Sequence, residues 1–217
     1  MKVVSTVSKH PHSLQQGGLI STEATSRKPR TDVIRNRTVI LDTAQRHFQQ
    51  HGIGTSLDAI AKEAGIGPGT LYRHFPTREA LLAAVLQLHS QELVARRATL
   101  IQIADPDEAL QQWLGALEDY LNAFSGLPEP LMAATRASAP DNPLTYPCDQ
   151  LITMTDEFLQ AAQVQGHVRT EVQSRDLFLA TAAVAWIRGE GSTDDARRLR
   201  TLIQSGYDRS DTTRSQP

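Results

Sequence analysis

The chain has 217 residues, of which 40% are hydrophobic and 21% are charged, and its net charge at pH 7 is −2. This length and composition are ordinary for a globular protein with one large or two small domains and a sizeable core. The single cysteine, Cys148, excludes an intramolecular disulfide and a metal site of the cysteine type.

The sequence also has no pattern typical of a membrane-spanning helix or a secretory signal. No apolar run approaches the ~18 residues that a spanning helix needs, and no apolar segment follows Lys2 as it would in a secretory signal. The seven histidines show no compact ligand spacing. We therefore expect a cytoplasmic protein that carries neither a cofactor nor a bound metal.

Charge is distributed unevenly along the chain. Residues 1–90 carry 11 Lys and Arg against 6 Asp and Glu, whereas residues 91–217 carry 11 against 18. The front half is therefore basic by five charges and the rear half acidic by seven. A basic front half fits contact with phosphates, and an acidic rear half fits a separate task.

Residues 1–29 mix polar side chains without periodicity, which predicts a disordered tail. The basic cluster at its end, formed by Arg27, Lys28 and Arg30, is either a solubilising segment or an arm that contacts phosphates or the minor groove. A first helix is expected to begin near Thr31–Asp32 and to end at Gly52. Its predicted inner stripe consists of Ile40, Leu41, Ala44 and Phe48.

The stretch from Ser56 to Phe75 has the pattern of two short helices joined by a tight turn. Ser56 is a good N-cap, and Gly65 follows the last periodic residue of the first helix. Pro68 opens the second helix, where a missing N–H costs nothing, and Leu71 and Phe75 face inward together. The side chains left to point elsewhere carry a hydroxyl, a phenol, a guanidinium and an imidazole, which suit phosphates and base edges; they belong to Thr70, Tyr72, Arg73 and His74.

An ordered set of positions makes this helix-turn-helix specific. It consists of Phe48, Gly52, Thr55-Ser56-Leu57, Ile60-Ala61, Ala64-Gly65-Ile66, Gly69-Thr70-Leu71-Tyr72, His74-Phe75, Arg78-Glu79 and Leu81. The set resembles the N-terminal domain of the TetR family of bacterial transcriptional regulators, over roughly Thr31 to Leu88. Two positions depart from the family pattern, which usually has serine or threonine at Gly67 and often lysine at Arg78. Glycine remains an acceptable cap and arginine keeps the charge.

The resemblance implies a second helix that enters the major groove of DNA. Thr70, Tyr72, His74 and Arg78 would then contact mainly phosphates, and base edges would be met by Pro68, Thr70 and Arg73. Gly69 permits close approach to the DNA backbone. The predicted DNA-binding set comprises Arg30, Ser56, Pro68, Gly69, Thr70, Tyr72, Arg73, His74 and Arg78.

A fourth helix is expected from Arg78 to beyond Val94, as a bridge into a rear half made of amphipathic helices. Aromatic and methionine side chains on those helices are either core or the lining of an effector pocket, since pockets are mostly apolar. The candidate ligand-binding residues are Trp113, Tyr120, Phe124, Met132, Met154 and Phe158. Their composition favours an apolar small molecule over a phosphate or a metal ion.

The last two predicted helices have the pattern of a subunit interface. One, capped by Ser174, is apolar nearly all round, and the next opens at Asp194–Asp195 and is amphipathic. The family resemblance likewise implies a homodimer built on these helices. The predicted interface residues are Phe178, Ala182, Ala183, Trp186, Leu199 and Leu202. The alternative is that the two helices only complete a monomer core.

Together these patterns predict an all-α fold, in which a three-helix helix-turn-helix domain precedes a larger helical effector-binding and dimerisation domain. The predicted boundaries are 1–29 for a disordered tail, 30–89 for the DNA-binding domain, 90–208 for the rear domain and 209–217 for a second disordered tail. We expect a ligand-responsive DNA-binding regulator, most simply a repressor that binds a pseudo-palindromic operator.

Two other classes of function fit the sequence less well. An enzyme is not expected, because we find no nucleophile elbow, P-loop, dinucleotide fingerprint or paired metal ligands, and His47 and His51 share a helix face without a third ligand. A helical protein-interaction module that uses the fold without DNA is the other alternative, and the intact recognition helix argues against it.

Overall fold

The computed structural model describes residues 27–136 and 141–208, with side chains from Val33 onward. These ranges hold nine helices, and the all-α prediction is confirmed there. The helices are α1 (Arg27–His51), α2 (Leu57–Glu63), α3 (Pro68–His74), α4 (Arg78–Leu100), α5 (Pro106–Leu121), α6 (Pro128–Ala134), α7 (Thr145–Val164), α8 (Ser174–Gly189) and α9 (Thr193–Tyr207). The chain divides into two units, residues 1–35 and residues 36–217, and the features below belong to the second unless stated otherwise.

Helix α1 begins four residues earlier than the sequence pattern predicted. It starts at Arg27 rather than near Thr31, so the end of the predicted tail, residues 27–29, is helical. Pro29 is compatible with this start, because the first-turn N–H groups of a helix have no partner within the helix. The rest of the predicted tails, residues 1–26 and 209–217, lies outside the described residues.

The helix-turn-helix forms where its local signals place it. The Ser56 hydroxyl accepts a hydrogen bond from the backbone N–H of Ala59, which caps α2. Gly65 then adopts a φ of 68°, a conformation that glycine tolerates, and Pro68 is the first residue of α3. Leu71 and Phe75 are buried, so α3 is held against the domain by one side.

Helix α5 is the centre of the rear half and packs against α4, α7 and α8. Trp113 of α5 is fully buried: its indole N–H donates to Thr155 Oγ1 at 3.0 Å, and its ring stacks on Phe158 with centroids 5.0 Å apart.

A buried carboxylate ties the last two helices to α5. Glu118 accepts hydrogen bonds from Arg200 of α9, at 2.6 to 3.0 Å, and from Arg188 of α8 at 3.0 Å. Arg200 stays exposed on α9 while its guanidinium pairs with Glu118, because a buried carboxylate needs charged partners. The side chain of Leu202, a predicted interface residue on α9, is 69% exposed.

Among the helices described, none combines the length and the apolar character required to cross a bilayer.

Candidate nucleic-acid interface and ligand cavity

Helix α3 has one buried side and one open side. Gly69, Tyr72 and Arg73 are exposed. Tyr72 and Arg73 follow Gly69 by three and four residues, so the three share the helix face opposite Leu71. Nothing lies within 4 Å of where a Cβ of Gly69 would be, which leaves this part of the backbone accessible. A phenol and a guanidinium beside an uncovered backbone can reach both phosphates and base edges.

The other residues of the predicted DNA-binding set differ in exposure. Pro68 is exposed at the start of α3, whereas Thr70 and His74 are half-buried. Ser56 is exposed, and its side chain caps α2. Arg30 falls on a part of α1 whose side chains are outside the described residues.

Arg78 holds the loop between α1 and α2. Its Nη1 donates to the carbonyl oxygens of Ile53 and Thr55, at 2.6 Å in each case. The sequence pattern predicted a phosphate contact for this side chain and offered no signal for a loop contact, because the partners lie more than twenty residues away. Arg78 therefore joins the first residue of α4 to the loop that precedes α2.

A polar cluster joins α1 to α2. The side chain of His47 is buried, with Nε2 2.7 Å from a carboxylate oxygen of Glu63. Arg46 donates to the other oxygen of the same carboxylate, also at 2.7 Å. The hydrogen bond from His47, followed by the nearby charge of Arg46, lowers the pKa of Glu63.

The loop between α1 and α2 also meets the rear half of the chain. The backbone N–H of Ile53 donates to the carbonyl of Ser125, in the α5–α6 loop, at 3.0 Å. A Cβ at Gly52 would lie 2.9 Å from the same carbonyl oxygen, so glycine is required for this approach. Next to it, the rings of Phe48 and Phe124 meet edge to face at 6.0 Å.

A cavity of about 540 Å³ lies between α4 and α7. Of the six predicted ligand-binding residues, Tyr120 and Met154 line it. Its other walls include Ala83, Ala84, Leu86, Gln87, Ser90 and Val94 of α4, and Tyr146, Asp149, Gln150 and Leu151 of α7. The volume and the mainly apolar walls suit a drug-sized molecule.

The other four predicted ligand-binding residues belong to the core, and their assignment to the pocket is corrected here. Trp113, Phe124 and Phe158 are buried, and Met132 is partly buried against the same core. Aromatic side chains at helical spacing face inward, and here the inward direction of α5 leads to α7 and α8.

Tyr120 connects the cavity to the centre of the protein. Its hydroxyl donates to the carbonyl of Leu86 in α4 at 3.3 Å, and its ring stacks on His89 with centroids 5.3 Å apart. Burial raises the pKa of Tyr120 and lowers that of His89, so both side chains favour their neutral forms.

The predicted dimer residues fall into two groups. Phe178 and Ala182 have no exposed surface and pack inside the protomer, so we correct their assignment to an interface. Trp186 and Leu202 are 47% and 69% exposed, and Ala183 and Leu199 are partly exposed. Trp186 of α8 and Leu202 of α9 are exposed large apolar side chains on two helices that pack together, and such side chains are candidates for an interface.

Comparison with known proteins agrees with this arrangement. Residues 40–85 match the domain described as bacterial regulatory proteins of the tetR family, and residues 105–208 match the C-terminal domain of SbtR-like transcriptional regulators. The chain has 32% sequence identity to the TetR transcriptional regulator SCO0520 from Streptomyces coelicolor, whose crystal structure is known. That match covers 79% of this chain and 98% of that one, with a TM-score of 0.52.

Curated relatives match over shorter stretches. The HTH-type transcriptional regulator LmrA of Bacillus subtilis is 33% identical over 121 residues, which are 53% of this chain and 64% of LmrA. UidR of Escherichia coli, another HTH-type transcriptional regulator, is 39% identical over 67 residues, which are 30% of this chain and 34% of UidR. The chain thus spans between a third and two thirds of the length of these two relatives.

An exposed recognition helix, a helical rear domain with a cavity, and a likeness that extends over nearly the whole of SCO0520 lead to one conclusion: the chain belongs to the TetR family of transcriptional regulators.

Proposed function

We propose that this chain is a transcriptional repressor that binds a pseudo-palindromic operator as a homodimer and is released by a small, mainly apolar effector. The observation that carries the proposal is the double role of α4. The first residue of α4, Arg78, holds the α1–α2 loop of the DNA-binding domain, and residues 83–94 of the same helix line the cavity. A ligand that displaces α4 would therefore act directly on the loop in front of the helix-turn-helix.

The open face of α3 supports the DNA-binding part of the proposal. Arg73 has the geometry to contact a base edge, since arginine donates two parallel hydrogen bonds to guanine in the major groove. Tyr72, beside it, suits a phosphate, which carries no sequence information. Two such helices related by a two-fold axis would read half-sites about 34–36 Å apart, one turn of duplex.

The exposed apolar surface of α8 and α9 supports the homodimer. Trp186 and Leu202 are exposed, and Ala183, three residues before Trp186 on α8, offers a small side chain that permits close approach of a second helix. In a two-fold dimer each protomer would cover the same surface of its partner.

Regulation then follows from linkage. An effector releases the operator only to the extent that it binds the free protein more tightly than the DNA complex. The coupling is reciprocal, so the operator must weaken effector binding by the same factor, for which about 5- to 150-fold is usual.

The experiment that tests the DNA assignment is selection of bound duplexes from a random pool with the full chain, followed by binding titrations at several salt concentrations. Arg73→Ala should relax preference at particular base positions by about 1–3 kcal/mol, whereas Tyr72→Ala should weaken binding to all duplexes evenly. Arg175→Ala, an exposed arginine of α8, is the control and should bind as the wild type does. Recovery of no common half-site would contradict the proposal.

The effector is tested on the same system. Apolar small molecules that raise the melting temperature of the protein should also weaken its binding to the selected duplex. Met154→Trp, which fills the cavity, should abolish both effects and leave DNA binding intact. Ligands that still release DNA from this variant would show that the cavity is not the regulatory site.

A further inference from the structure

We propose that the cavity between α4 and α7 selects an organic cation with an apolar body, and that Asp149 is its counter-charge. This inference rests on the proposed function, because it assigns a ligand class to the proposed effector cavity. It is carried by the charge of the cavity wall, the free state of one carboxylate and the presence of two phenol rings.

The charge on the described wall has a single sign. Asp149 is the one acidic residue among the described residues that line the cavity, and none of them is lysine, arginine or histidine. The remaining polar groups of the wall are neutral, as in Gln87, Ser90 and Thr153. An anionic ligand would find no opposite charge here, and desolvating an unpaired charge is costly. A cation would find one.

The Asp149 carboxylate has no partner of its own among the residues that the structure describes. The other acidic side chains of α7 are engaged: Asp156 accepts a hydrogen bond from Gln160, and Glu157 pairs with Arg97. In the described part of the chain, the side chain of Asp149 forms neither a hydrogen bond nor an ion pair. Asp149 also lies beyond the first turn of α7, so the helix N-terminus does not account for it.

Two tyrosines add a second attraction for a cation. Tyr120 and Tyr146 both line the cavity, and the side chain of Tyr146 is 66% exposed. The amide of Gln150 donates to the Tyr146 hydroxyl at 2.9 Å, which restrains the ring one turn from Asp149. The face of an aromatic ring attracts ammonium groups, also at exposed positions such as that of Tyr146. The apolar walls contributed by Ala83, Leu151 and Met154 would accept the body of the ligand.

Three fluorescent probes with one tricyclic body test the charge preference. They are anthracen-9-ylmethyl-trimethylammonium, anthracene-9-methanesulfonate and the neutral 9-anthracenemethanol. Each is titrated into the full chain, and the dissociation constants are compared. We expect the ammonium to bind about three- to tenfold more tightly than the sulfonate, which is the size expected for one partly exposed ion pair.

Variants locate the preference. Asp149→Asn should remove the discrimination between cation and anion and leave binding of the neutral alcohol unchanged. Asp156→Asn, which removes the same charge from the same helix outside the cavity, should keep the wild-type discrimination. Met154→Trp and, independently, Val94→Trp should block all three probes, because both fill the cavity. Val94 is 46% exposed and lies outside the buried core, so its substitution tests the site with little disturbance of the core.

The outcomes separate this inference from the proposed function. Equal binding of the three probes, blocked by both tryptophan variants, would overturn the cation preference and leave the effector cavity in place. A preference that persists in Asp149→Asn would also overturn it. Binding of no probe, or binding that both tryptophan variants leave unchanged, would count against the effector cavity itself.

Discussion

The backbone N–H of Ile53 donates a 3.0 Å hydrogen bond to the carbonyl of Ser125, joining the loop in front of the helix-turn-helix to the loop between α5 and α6. Arg78 binds the same front loop from α4 through two carbonyl oxygens. The α1–α2 loop is therefore held from two directions, by the helix that lines the cavity and by a loop of the rear domain. Any shift of either element must be transmitted to the loop or break its hydrogen bonds.

Gly52 should tolerate no side chain. Its φ is 73°, and a Cβ would lie 2.9 Å from the Ser125 carbonyl oxygen, so Gly52→Ala is strained in its backbone and in its packing. We expect a loss of about 1–3 kcal/mol in the free energy of unfolding, measured by urea denaturation. Gly54→Ala is the matched control, because nothing lies within 4 Å of its Cβ position. Equal stability of the two variants would show that the contact with Ser125 is not restrictive.

Arg78 should matter for stability as well as for DNA. Arg78→Met removes both donors to the α1–α2 loop and leaves the carbonyl oxygens of Ile53 and Thr55 without this partner. The expected loss in unfolding free energy is about 1–3 kcal/mol. Arg73→Met, at an exposed position of α3, should change stability by less than about 0.5 kcal/mol while weakening operator binding. If Arg78→Met unfolds as the wild type does, the side chain acts only on DNA.

The cluster of His47 and Glu63 should make stability depend on pH in the acid range. The hydrogen bond from His47 lowers the pKa of Glu63 in the folded protein. The pair therefore stabilises the fold at pH values above the ordinary pKa of glutamate. This stabilisation is lost as the pH falls through the lowered pKa. Urea midpoints measured between about pH 6 and about pH 3 should therefore converge for the wild type and Glu63→Gln. Glu171→Gln, at an exposed glutamate outside this cluster, should show no such convergence. A constant gap between the wild type and Glu63→Gln would refute the pairing.

The apolar surface of α8 and α9 should control assembly. Leu202→Arg and Ala183→Arg place a charge on this surface, which would be buried without a partner in a dimer, so both should give monomers at micromolar concentration. Light scattering provides the measurement. Val164→Arg, at an exposed apolar position of α7, should remain dimeric. A wild-type protein that is itself monomeric and still binds a two-fold operator would end the dimer proposal.

Local signals in the sequence determined the helices of the DNA-binding domain. Ser56, Gly65 and Pro68 act on their own helix ends, and the spacing of Ile40, Ala44 and Phe48 defines one side of α1 whatever α1 packs against. The open face of α3 follows in the same way, because Leu71 and Phe75 leave Tyr72 and Arg73 on the other side. Such features depend on residues only a few positions apart, so they can be predicted from the amino-acid sequence.

In the rear half of the chain, only the tertiary structure decided which side chains are core and which are accessible. Trp113 and Tyr120 are both aromatic residues of α5, yet Trp113 fills the core and Tyr120 reaches the cavity. The positions of α4 and α7 around α5 cause this difference. Phe178 and Trp186 divide in the same way on α8. Arg78, His47 and Glu118 each have a partner that lies 16 to 82 residues away, and no spacing rule identifies those contacts. Burial and ion pairing are set by the helices that surround a residue, and helical periodicity specifies a direction without specifying what lies there.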